Sequence, residues 1–152
     1  MAASNQWRIV KKLVDEAKVS NIVLANDIIL QVPLLANTKY HIKCKIYYDA
    51  TVAVSGIKWR HTGPALPTLV RIYRYMLPGS AIAYTNILTD IAYSVADITS
   101  VVGTSGGYIE LSAIIHNGVN AGVFAFQWAQ QVTNVGALTI RAGSFMEVQI
   151  IQ

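Results

Sequence analysis

The chain has 152 residues, 53% of them hydrophobic and only 13% charged, and 12 Lys+Arg against 8 Asp+Glu leave a net charge of +4. That length fits one domain with a real core, while a charged share of roughly half the usual value predicts surface hidden against other chains. The lone cysteine, Cys44, excludes an intrachain disulfide and a thiolate metal cluster.

In chain order, Met1 to Trp7 has no charged region followed by an apolar stretch, so no secretory leader is expected. The basic cluster Arg8, Lys11 and Lys12 is followed at once by Asp15 and Glu16. Residues 1–18 read as an N-terminal arm or edge strand, and 19–152 as a single β-sandwich domain. Val19 to Leu30 leaves two readings open, a strand with a loop or a short helical turn. The apolar stretch Ile22 to Ala36 carries Asn26, Asp27, Gln31 and Pro33 and is too polar and broken to span a bilayer. The expectation is a soluble protein made in a cytoplasm, with no membrane partner.

Tyr40 to Tyr48 alternates apolar and polar residues, as a half-buried strand does. Its lysines, Lys43 and Lys45, together with Lys39, take the wet face, while Tyr40, Cys44 and Ile46 take the other. Cys44 there is a small buried hydrophobe, and His41 points to the opposite face. Gly56 to His61 repeats the alternation before the turn Gly63-Pro64. Thr68 to Met76 is β-branched and aromatic and ends at Pro78-Gly79. Tyr108 to His116 follows a glycine-rich loop, and Asn117-Gly118 turns into Val123 to Trp128. Leu138 to Arg141, Ala142-Gly143-Ser144 and Phe145 to Ile151 read as a closing hairpin, with Gly143 where a Cβ does not fit. Short strands separated by Gly, Pro and Asn turns predict an all-β antiparallel sandwich or barrel. Trp59, Phe124, Phe126 and Trp128 are candidates for the core between two sheets, or for a patch where identical subunits meet.

Chemistry is sparse. His41, His61 and His116 fall on different strands without metal-ligand spacing, and no cofactor is expected. Glu110 and Glu147 could be neighbours, but glycosidase chemistry needs one neutral and one ionised carboxyl held together. Thr104-Ser105-Gly106-Gly107 lacks the lysine and helix of a phosphate loop, and no nucleophile elbow occurs. The expectation is no enzyme and no direct nucleic-acid binding, since the basic residues form no single stripe.

Several segments together resemble a family of tailed-bacteriophage virion proteins with trimeric jelly-roll domains. They are Leu30 to Tyr40, Ile46-Tyr47-Tyr48-Asp49, Gly56 to Trp59, Thr62-Gly63-Pro64-Ala65, Asn117-Gly118 through Gln130, and Thr139 to Glu147. In them Pro33 and Asn37 make a corner before a long strand, and Gly63-Pro64 ends the tryptophan strand.

The resemblance implies a TNF-like jelly roll, a homotrimer, and a place on the virion exterior as a capsid decoration (cement) protein. Its partner would be the major capsid protein at threefold or quasi-threefold positions, where it would stabilise the head. Trp7, Arg8, Lys11 and Lys12 are the capsid-contact candidates, offering an aromatic anchor and cations. The alternative is a receptor-binding fibre tip that grips a host glycan through loops such as Tyr84 to Asn86 or Gly103 to Tyr108. The absence of a repetitive shaft and a length of 152 residues favour decoration.

Overall fold

The computed structural model describes residues 7–52, 55–77, 84–90, 93, 98–100 and 106–151, giving the backbone alone for 84–90, 98 and 100. The strands are β1 (Trp7–Lys11), β2 (Glu16–Lys18), β3 (Ala25–Leu34), β4 (Lys39–Ala50), β5 (Ile57–Thr62) and β6 (Leu69–Leu77). They continue with β7 (Tyr84–Asp90), β8 (Ile98–Ser100), β9 (Gly107–His116), β10 (Gly122–Gln130), β11 (Leu138–Ile140) and β12 (Phe145–Ile151). Among the described residues no helix is long and apolar enough to cross a membrane.

The larger sheet runs β1-β12-β4-β9-β6-β7, with β2 and β11 continuing it beside β4, and the smaller runs β3-β10-β5-β8. From β3 onward each connection crosses between sheets, except within the β6–β7 hairpin and between β11 and β12. That crossing pattern makes the protein an antiparallel jelly-roll sandwich. Alternation drives it. Tyr40, Ile42, Cys44, Ile46 and Tyr48 of β4 are buried while Lys39, Lys43 and Tyr47 are exposed. Burial pushes the Cys44 thiol well up, so it stays a protonated, inert filler.

Trp59, Phe124, Phe126 and Trp128 are at most 2% exposed within the single chain. They are core, and the reading of them as a face between subunits is overturned by that burial. Trp59 lies 5.8 Å from Phe126, and its indole N–H donates to Met76 Sδ at 3.4 Å.

The closing hairpin is also corrected. β11 and β12 both pair with β4, at Tyr48–Ala50 and Lys39–Lys45 respectively, so they form one run interrupted by an excursion. The Ser144 hydroxyl accepts the Tyr47 N–H at 3.0 Å, bridging the gap in the ladder. A Cβ at Gly143 would meet nothing within 4 Å; glycine is favoured by its φ of +91°. Asn37 turns the β3–β4 corner at φ 52°, while Pro33 lies within edge strand β3, where a missing N–H is tolerated.

The N-terminal segment mirrors this break. β1 pairs β12 and β2 pairs β11, as edge strands on one line. Between them the Lys12 N–H donates to the Ser144 carbonyl, and the Gly143 N–H donates to the Lys12 carbonyl, both at 2.8 Å. Asp15 accepts the Ala142 N–H at 2.7 Å and Arg141 at 2.6 Å, which holds its carboxyl below the usual range.

Lys12 itself turns inward and is 0% exposed. Its ammonium donates to both oxygens of the equally buried Asp27, at 2.8 and 3.0 Å, and to Glu16 at 2.6 Å. Asp27 also accepts the N–H groups of Ile29 and Leu30, each at 2.9 Å, and the Trp128 indole at 3.2 Å. Lys12 is therefore no capsid-contact residue, because its charge is used inside.

Two outcomes follow. Lys12→Met should cost about 3 kcal/mol or more by stranding a buried carboxylate. Asp27→Leu should cost more, since three N–H donors lose their acceptor as well; urea midpoints rank the two, and equal costs would contradict the hub role. Second, burial and the nearby Arg74 charge hold the His61 imidazole down to about 3, from 6.5. Between those values the unfolded chain binds a proton that the folded chain refuses, so this contribution is whole above pH 6.5 and lost as pH falls. Melting curves from pH 7 to pH 4 should therefore drop less for His61→Phe than for the parent.

Candidate assembly surface

The outward residues of the larger sheet fall into rows, because directly paired strand residues share a face. One row reads Trp7, Gln149, His41, Ile114 and Arg71 across β1, β12, β4, β9 and β6. The next reads Ile9, Glu147, Lys43, Ser112 and Tyr73, and the third Lys11, Phe145, Lys45, Glu110 and Tyr75. Tyr47, Tyr108 and Leu77 close the series.

These rows interlock. The Lys45 ammonium meets Glu110 at 3.0 Å and lies over the Tyr108 ring at 4.8 Å, so the Glu110 hydrogen bond raises its pKa. Tyr75 and Tyr108 stand 5.8 Å apart. Lys43 caps the Trp7 ring at 5.1 Å, and Trp7 leans on His41 at 5.3 Å. His41 reaches the Ser112 hydroxyl at 3.2 Å, and partial burial with the Lys43 charge lowers its pKa. A groove of about 320 Å³ runs down the middle, lined by Lys43, Lys45, Tyr73, Glu110, Phe145 and Glu147 among others.

Such a face is chemically mixed in a useful way. Trp7, Ile9, Tyr47 and Tyr73 remain 37 to 59% exposed, and aromatic rings beside both signs of charge suit a protein partner. It offers little for catalysis. Glu110 and Glu147, which the sequence allowed as neighbours, are separated by β4, with Lys45 and Lys43 between them. Among the described residues no group of three or more His, Cys, Asp or Glu could hold a metal ion.

The four N-terminal candidates do not make one surface. Strand alternation sends Trp7 and Lys11 to the outer face of the larger sheet. Arg8 faces the other way, into an edge groove of about 260 Å³ with Pro33, Leu35, Tyr40, Val148 and Ile150. Lys12 is buried. Of the loops named for the alternative reading, residues 103–105 and the side chains of 84–86 lie outside the described residues. Sequence reading missed the face itself. Its signal was the aromatic residues at outward positions of strands otherwise read as wet: Tyr47, Tyr73, Tyr108 and Phe145.

No family model matches the sequence, and no curated protein matches it. The chain is similar to the solved structure of Eiger TNF from S. frugiperda, at 11% identity over 96% of this chain and 93% of that one, with a TM-score of 0.35. It is also similar to the structure of infectious bursal disease virus Gx strain, at 12% identity over 95% of this chain and 40% of that one, with a TM-score of 0.25. Likenesses this weak assign no function.

Proposed function

We propose that this protein is a self-assembling structural subunit, a homotrimer that decorates the outside of a phage capsid and stabilises the head. The observation that carries the reading is the outer face of the larger sheet. Its aromatic and apolar residues stand partly exposed among paired charges, on a chain with only 13% charged residues. Copies meeting through that face would hide the rings and pair surplus lysines with Glu110 and Glu147. Trivalent attachment would then multiply a modest contact with each capsid subunit.

Under this reading capsid contact falls to surfaces left outside the trimer. Arg8 and the edge groove beside it supply one cation and an apolar floor. Trp7 and Lys11, which share the outer face, belong to the subunit contact or its rim. The fibre-tip alternative uses the same trimer with a loop end turned to a host glycan, and location separates the two.

Virions stripped of the protein should lose resistance to heat and low salt and regain it on adding the protein back. Equal resistance with and without it would remove the decoration reading, and antibody labelling of tail tips would install the alternative. At the level of residues, Tyr73→Glu should change folding stability by no more than about 0.5 kcal/mol while abolishing the chemically crosslinked trimer. A trimer that survives this substitution would move the subunit contact off the sheet face.

A further inference from the structure

Between the sheets several polar atoms are buried without partners. They are Nε and Nη1 of Arg74, both ring nitrogens of His61 and the hydroxyl of Tyr93. The residues are 3%, 1% and 6% exposed. Arg74 and His61 share the wall of Trp59. Arg74 Cζ lies 6.0 Å from the Trp59 ring, and His61 follows Trp59 by two positions on the same inward face of β5. The His61 ring stacks on Phe124 at 5.9 Å, and Tyr93 meets the same Phe124 edge-on at 6.1 Å.

Buried polar groups are almost always satisfied, and those that are not call for an explanation such as a bound ion. A guanidinium is the most demanding case, because it cannot give up its proton and becomes neutral only through a counter-charge. We propose that Arg74 and His61 bind one small monovalent anion of halide size between the sheets.

The charge count selects the class. Arg74 contributes one positive charge, while burial and that same charge keep His61 neutral. One negative charge balances the site, whereas a doubly charged phosphate or sulfate would leave the core net negative. The single N–H of the neutral His61 ring can orient toward such an ion, and the walls of Trp59 and Phe124 exclude competing water. In that apolar setting a single ion pair is strong. This inference is independent of the proposed assembly role.

The test uses the whole chain, with chloride exchanged for bulky gluconate at constant ionic strength. The melting temperature should rise and saturate with chloride, as for any ligand that binds only the folded state. Arg74→Met should remove that response, since methionine fills the volume without charge. Crystals grown in bromide should show an anomalous peak within hydrogen-bond reach of Arg74, which decides the matter even where Arg74→Met fails to fold. Identical melting in chloride and gluconate, or no bromide peak at Arg74, overturns the proposal.

Discussion

The carboxylate of Asp27 sits where the N-terminal strands, the smaller sheet and the end of the chain come together. It takes the Lys12 ammonium from the segment after β1, two N–H groups from its own strand β3, and the Trp128 indole from β10. Lys12 in turn exchanges main-chain hydrogen bonds with the excursion between β11 and β12. Burying two charges costs desolvation that an apolar pair would avoid. What the pair supplies here is position, because each oxygen has assigned donors. Lys18 reinforces the same point, lying 4.1 Å over the Trp128 ring while its ammonium donates to the Trp128 carbonyl at 2.7 Å.

That anchor has a consequence on the opposite side of the sheet. With Lys12 drawn inward, β1 is held in register against β12, and its alternate residues Trp7, Ile9 and Lys11 extend the outer face by one strand. The face then spans five strands from Trp7 to Arg71, with β4 and its lysines at the centre. One strand thus serves both layers. Tyr40, Ile42, Cys44 and Ile46 of β4 fill the core, and His41, Lys43, Lys45 and Tyr47 face outward. The assembly reading and the fold share this single alternation.

Much of the fold was legible from local pattern. β4, β5 and β9 announce themselves by alternation, and Gly63-Pro64 and Asn37 mark real ends of strands. Other features depend on partners far along the chain. Ala142-Gly143-Ser144 has the turn chemistry of a hairpin and of a bulged strand alike, and only pairing with β4 decides between them. Lys12 reads as surface because lysine usually is surface; its burial depends on Asp27, 15 residues away. The aromatic core residues were visible as apolar positions, but their depth was not. The outer face was hidden for the same reason, since neither Tyr73 nor Phe145 looks unusual until β6, β9, β4 and β12 lie side by side.

The central claim is that copies of this chain meet through the outer face of the larger sheet. Hydroxyl-radical footprinting of the intact protein over a range of concentrations addresses it directly. Trp7, Tyr47 and Tyr73 should become protected together as the oligomer forms, while exposed residues at the loop ends such as Leu66 and Val135 keep their reactivity. If the three aromatic residues react at the same rate at every concentration, or the loop ends are protected instead, the account is contradicted.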